Sequence, residues 1–187
     1  LCFLALIILL NFNNLTIILA IGSMPLAFSY PLMKRYTYWP QLFLGITFNY
    51  GIILGWTAVK EEIEIIPLIL YFGAIFWTLG YDSIYGYQDI RDDEIIGLKS
   101  TSIKFKKNPK NFLTLCYSIF FTILILTGIL LNYNIFYFIG LIFVFFQLFY
   151  YQLKKINVES SEDCLKKFKS NNFLGLLVFF ILIIGKI

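Results

Sequence analysis

Five of the chain's 11 acidic residues fall within 13 positions, in the stretch Asp82-Ser83-Ile84-Tyr85-Gly86-Tyr87-Gln88-Asp89-Ile90-Arg91-Asp92-Asp93-Glu94. A membrane-length apolar run precedes them, and Gly97-Leu98-Lys99-Ser100-Thr101 follows two residues later. Seven positions separate Asp82 from Asp89 and four separate Asp89 from Asp93, so a continuous helix would put all three carboxylates on one face, with Gly86 leaving room beside them. Clustered carboxylates at a membrane boundary repel one another and are costly to desolvate unless a cation neutralises them. Hard oxygen ligands point to Mg²⁺, which takes one or two carboxylates and completes its shell with water and substrate phosphates. The lysines downstream, Lys99, Lys104, Lys106 and Lys107, are placed to close on the same phosphates. A solvated loop between two membrane helices is the other reading of these residues. An acidic cluster on an otherwise cationic side of the membrane favours the site.

The elements that must position this stretch are membrane helices. The 187 residues are 59% hydrophobic and 14% charged, with a mean hydropathy of +0.79, which excludes an ordinary soluble domain. No histidine is present, which removes imidazole acid–base chemistry and the commonest zinc or haem ligand. Cys2, Cys116 and Cys164 are far apart and form no CxxC pair, so neither a disulfide framework nor a metal knuckle is expected. Nucleic-acid binding would need a basic surface on a soluble domain, and none is offered. The chain opens Leu1-Cys2-Phe3 without an initiator Met or a charged leader, and is expected to begin inside a longer protein.

The expected fold is all-α, a polytopic transmembrane helix bundle forming a single domain over residues 1–187. Leu1 to Leu10 reads as the tail of one helix, followed by spans at Leu15–Met33, Tyr36–Val59, Ile65–Tyr81, Asn111–Leu131 and Ile135–Tyr151. A polar connector from Gln152 to Asn172 leads to a short last span, Phe173–Ile187. Gly22, Ser23, Ser29, Gly45, Gly51 and Gly55 are small residues suited to close helix contact. Asn49 faces the interior either as a ligand group or as an interhelical hydrogen bond. With these spans, 13 of the 15 cations fall on one side of the membrane and only Lys60 and Lys186 on the other, which sets the acidic stretch on the cytoplasmic or matrix side.

These residues carry a family resemblance. Tyr81 to Asp93 with Gly97-Leu98-Lys99-Ser100-Thr101, then Tyr30-Pro31-Leu32-Met33-Lys34-Arg35-Tyr36-Thr37-Tyr38-Trp39-Pro40-Gln41 with Phe48-Asn49-Tyr50-Gly51, and finally Cys164-Leu165, Phe168-Lys169-Ser170-Asn171 and Gly175, resemble the UbiA superfamily of membrane prenyltransferases. Within it they are most similar to the 4-hydroxybenzoate polyprenyltransferases. Asp89 and Asp93 match the DxxxD pair of the family's second aspartate motif. Its first, NDxxD-like motif has no counterpart here, so about seven of nine helices are expected, the first one partial. Ser83, Gly86 and Tyr87 stand where relatives often carry Thr, Ala and His.

The resemblance implies Mg²⁺-dependent transfer of a polyprenyl group from polyprenyl diphosphate to the ring of 4-hydroxybenzoate, a step toward ubiquinone, in a bacterial or mitochondrial inner membrane. It implies Asp89 and Asp93 as metal ligands, and Arg91, Lys99 and Lys104 as diphosphate contacts. Arg35 would hold the substrate carboxylate through its bidentate fork, its alternative being a membrane-side charge anchor. Asp82 would orient a ligand or accept a proton, its alternative being a structural ion pair. Three other readings stay open: a relative with a menaquinone, tocopherol, haem or chlorophyll-type acceptor, a small cation transporter module, and a non-catalytic membrane interaction subunit.

Overall fold

The computed structural model describes residues 2–187. Leu1, read above as interior to a helix, lies outside them. The chain is all-helical, with α1 at Cys2–Leu9, α2 at Asn14–Ser29, a 3-10 turn at Tyr30–Leu32, α3 at Met33–Tyr36, α4 at Pro40–Phe48 and α5 at Gly51–Lys60. It continues with α6 at Ile65–Gly86, α7 at Ile90–Ile95, α8 at Thr101–Lys104, α9 at Pro109–Leu130, α10 at Ile135–Phe145 with a π-helical extension at Phe146–Lys154, and α11 at Ser161–Lys186. Six of these helical stretches are long and apolar enough to cross a membrane.

Local signals start the helices. Pro40 and Pro109 open α4 and α9, where a missing N–H costs nothing. Asn13 and Asn134 cap α2 and α10 with their side-chain oxygens. Both asparagines also tie the end remote from the acidic stretch together, Asn13 donating to Thr57 C=O at 2.8 Å and Asn134 to Ile184 C=O at 2.7 Å.

α6 lies at the centre, packed against α9, α4, α11 and α5. Two glycines set how near its neighbours come. A Cβ at Gly80 would lie 2.5 Å from the Tyr117 ring of α9, and one at Gly45 would lie 2.9 Å from Ile75 C=O of α6. Leu113, Tyr117, Leu124, Val144, Leu148 and Leu174, all fully buried, fill the space between α9, the α10 stretch and α11. A Cβ at Gly22, Gly51 or Gly55 would meet nothing within 4 Å, so these three set no close helix approach, α2 and one face of α5 lying on the flank of the bundle. Cys116 and Cys164 are free and buried.

Two spans differ from the sequence reading. The Tyr36–Val59 span is two helices that meet at Asn49-Tyr50, where the Asn49 backbone N–H and side-chain amide both donate to Gly45 C=O. The last span is α11, which starts at Ser161 and absorbs most of the expected polar connector. Ser160 caps it, and Glu162–Lys166 and Asp163–Lys167 pairs four apart support its polar first turns.

Candidate functional site

α6 carries Asp82 one turn before its end at Gly86, where Tyr87 N–H closes on Ser83 and Ile84 carbonyls. Asp82, Asp89 and Asp93 therefore do not share one helix face. The chain turns through Tyr87 to Asp89, and Asp93 rides on the separate helix α7. Gly86 does leave room, but Ser102 fills it, since a Cβ there would run into the Ser102 hydroxyl.

Backbone geometry fixes α7. Gly97, at φ +74°, takes the left-handed conformation that lets Leu98 N–H donate to Asp93 C=O at 2.8 Å and Gly97 N–H to Glu94 C=O at 3.3 Å, a Schellman close. Lys99 N–H then donates to Lys34 C=O at 2.8 Å. Ser100, Thr101 and Ser102, all fully buried, stitch the loop to the bundle. Thr101 N–H donates to Gln41 Oε1 at 2.9 Å, Ser102 Oγ donates to Ser83 C=O at 2.8 Å, and the Ser83 and Thr101 hydroxyls meet at 2.7 Å.

The result is a cavity of about 300 Å³ whose walls include Tyr30, Lys34, Gln41, Asp82, Tyr85 and Asp89. Asp82 and Asp89 are the carboxylates of its wall, and Asp93 lies outside that wall, paired with the wall's Lys34. Asp89 sits at the N-cap of α7, yet its side chain accepts no capping bond. Asp93 is 6% exposed, and its Oδ2 has no hydrogen-bond partner, Lys34 Nζ standing 3.8 Å away. Desolvation raises the Asp93 carboxyl above the usual carboxylate range, Lys34 opposes this, and the charges of Asp89 and Asp92 add to it.

Beyond Asp82 and Leu44, which belong to both walls, a second cavity of about 560 Å³ lies between α4, α6 and α11. Phe48, Trp77, Tyr81 and Phe168 give it aromatic faces, and Asn49, Asn171 and Asn172 add amides. The Asn49 amide nitrogen donates to Gly45 C=O at 2.8 Å and Thr78 Oγ1 at 2.7 Å, which commits its donors and leaves its carbonyl oxygen for a ligand. One turn further along α5 and α11 is an apolar groove walled by Ile52, Trp56, Phe179 and Ile183.

Among the described residues no three His, Cys, Asp or Glu side chains come together as a metal cage, so the three-carboxylate cluster is not assembled. Two carboxylates with open oxygens beside a cation suit Mg²⁺ completed by water and phosphate, and the buried, unpartnered Asp93 Oδ2 is the observation that fits it.

The candidate cations divide. Lys34, given no role of its own in the sequence reading, faces the first cavity, while its neighbour Arg35 is exposed and lines neither. Arg91 is exposed as well. Lys99 Nζ reaches Tyr36 C=O at 3.3 Å, and Lys104 lies over the Trp39 ring at 4.2 Å, away from both cavities. Nothing in the order Lys34-Arg35 distinguishes the two; the one-turn helix α3 turns only the first inward. Gln41, Gln152 and Asn171 carried no role in the sequence because a lone amide near a membrane helix end has no spacing signature.

The sequence profile of the UbiA prenyltransferase family matches residues 1–183. The Homo sapiens protein named "4-hydroxybenzoate polyprenyltransferase, mitochondrial" is 43% identical over 185 residues, covering 98% of this chain and 50% of that protein. The Arabidopsis thaliana protein of the same name is 42% identical over 180 residues, 96% of this chain and 44% of that one. "4-hydroxybenzoate geranyltransferase 2" of Lithospermum erythrorhizon is 39% identical over 188 residues, 99% of this chain and 60% of that one. The chain thus spans about half the length of the curated relatives it matches. No solved structure matches it.

Proposed function

We propose, since the chain belongs to the UbiA prenyltransferase family, that its protein transfers a polyprenyl group from polyprenyl diphosphate to the ring of 4-hydroxybenzoate, with Mg²⁺, on the way to ubiquinone. The carbon–oxygen bond of the allylic diphosphate breaks with the electron pair leaving on diphosphate. The allylic carbon bonds the ring carbon ortho to the hydroxyl, and that carbon then loses its proton. Asp89 and Asp93 would hold Mg²⁺, whose charge stabilises the departing diphosphate. Lys34 faces the same cavity and adds positive charge to it, while Lys99 and Arg91 lie outside its wall and would reach the diphosphate only by moving toward it. Asp82, on the wall shared by both cavities, would accept the phenol's hydrogen bond or the departing ring proton.

The aromatic cavity takes the acceptor ring. Its amides and carboxylate would be desolvated without return by an isoprenoid tail, whereas a phenol can hydrogen-bond to them. The tail suits the apolar groove along α5 and α11. The membrane is a bacterial or mitochondrial inner membrane, with the charged cavity toward the cytoplasm or matrix; the relatives from Homo sapiens and Arabidopsis thaliana are named as mitochondrial.

The observation that supports this reading most is the two carboxylates around Lys34: Asp89 in the wall of the same cavity without a capping bond, and Asp93 buried, with an Oδ2 3.8 Å from the ammonium that has no hydrogen-bond partner. The test uses membranes carrying the full-length protein, supplied with radiolabelled polyprenyl diphosphate, Mg²⁺ and a panel of acceptors. Prenylated 4-hydroxybenzoate that disappears with EDTA is expected. Product on a dihydroxynaphthoate or homogentisate alone would replace the acceptor, and product that persists without divalent cation would remove the metal role.

A further inference from the structure

Four side chains in and behind the wall of the aromatic cavity form a continuous chain of hydrogen bonds. Tyr117 of α9 donates its hydroxyl to Gln152 Oε1 at 2.5 Å, and Gln152 Nε2 donates to Asn171 Oδ1 at 3.0 Å. Trp77 Nε1 donates to the same Asn171 oxygen at 2.9 Å, and Asn171 Nδ2 donates to the carbonyls of Lys167 and Phe168 at 3.1 and 3.2 Å. Tyr117 and Gln152 are fully buried and touch neither cavity, whereas Asn171 and Trp77 stand in the cavity wall.

The Trp77 ring is held from a second side. It stacks on Phe120 with centroids 5.1 Å apart and planes 7° off parallel, and its far edge occupies the space left by Gly175, where a Cβ would lie 3.3 Å away. Rotation of either Asn171 or Trp77 would break a bond to the other and change the shape of the wall.

Gln152 reaches this position through the π-helical stretch Phe146–Lys154 that continues α10. Such wide turns are rare and recur at functional sites. A π turn takes more residues per revolution than an α turn, so the residue presented to the interior here is not the one an unbroken α-helix would present. Of the two side-chain amides in that stretch, Gln147 and Gln152, the wide turns deliver Gln152 to Tyr117 and Asn171.

We infer that Tyr117 and Gln152 are positioning residues for the acceptor: through Asn171 they hold Trp77 and set the width of the cavity that grips the aromatic ring. This rests on the prenyl-transfer reading above. It concerns acceptor recognition alone, because the network touches neither the aspartates nor Lys34.

The test compares Gln152→Leu and the milder Tyr117→Phe with the unsubstituted full-length protein in membranes, with protein amount normalised by immunoblot. Gln152→Leu, similar in volume, removes both amide bonds and raises the KM for 4-hydroxybenzoate about tenfold, equivalent to about 1.4 kcal/mol. Tyr117→Phe raises it about threefold. In both, the KM for the polyprenyl diphosphate and kcat stay within about twofold. If both variants keep the normal acceptor KM, or if either changes only kcat or only the diphosphate KM, the inference falls and the prenyl-transfer reading stands. No transfer by the unsubstituted protein to any acceptor overturns that reading, and the inference with it. Should Gln152→Leu not accumulate, Tyr117→Phe alone decides.

Discussion

Asp82 stands between two cavities whose polar groups are treated oppositely. On the aromatic side the wall and its backing hold a bonded amide network, with Tyr117, Gln152, Asn171 and Trp77 linked to one another and Asn49 bonded into α4 and α6. On the charged side Asp89 caps nothing, and Asp93 holds a buried oxygen without a hydrogen-bond donor, with only the Lys34 ammonium 3.8 Å away. Satisfied buried networks are rigid, while an unsatisfied buried carboxylate is costly and persists where something else neutralises it. The first wall is built to keep a shape, and the second to receive charge.

Several measurements would break or sharpen that contrast. The largest effect is expected at the uncommitted carboxylates. Asp89→Ala and Asp93→Ala each lower prenyl transfer about a thousandfold with unchanged membrane insertion, because a lost metal ligand removes charge stabilisation from bond breaking; activity within tenfold of normal would take both residues out of the site.

Next comes the cation on the same side. Lys34→Met should cost about tenfold to a hundredfold in kcat/KM for the diphosphate, and Arg35→Met no more than about threefold, since only Lys34 faces the cavity. The reverse order would return the role to Arg35.

A smaller effect tests the rigid side. Gly80→Ala drives a Cβ into the buried Tyr117 ring and should destabilise the bundle by about 1–3 kcal/mol, seen as earlier thermal unfolding in detergent. Unchanged unfolding would mean that Tyr117 is free to move and that this wall is not rigid. The smallest change is expected at Lys104, which lies on Trp39 and away from both cavities. Lys104→Ala should alter transfer by no more than about twofold, and a larger loss would extend the charged cavity toward α8.

Much of the fold was legible in the chain. Apolar runs of membrane length, Pro40 and Pro109 at helix starts and asparagine caps are local signals, and the helices follow them. The polar first half of α11 was not legible, because its turns are held by a Ser160 cap and charge pairs rather than by apolar content. The expected face shared by Asp82, Asp89 and Asp93 failed for a related reason. It assumed a helix that continues past Gly86, whereas the Ser102 side chain packs at Gly86 and the chain turns there. In the site, the acidic stretch that holds Asp82, Asp89 and Asp93 was legible by its density in the chain. Lys34 and Gln152 were passed over, the first because an adjacent arginine competes for the same reading, the second because a π turn leaves no mark in the residue pattern.

By itself the sequence determined that this chain is a membrane helix bundle and that one acidic stretch sits at a helix end, since hydropathy, charge and caps act over a few residues. Only the tertiary structure decided which groups meet. The separation of Asp93 from Asp82 onto different helices, the choice of Lys34 over Arg35, and the bond from Gln152 across to Asn171 depend on helix ends and rotations. Those are set by contacts such as Ser102 on Gly86 and Tyr117 on Gly80 between residues far apart in the chain, where packing overrides any local preference.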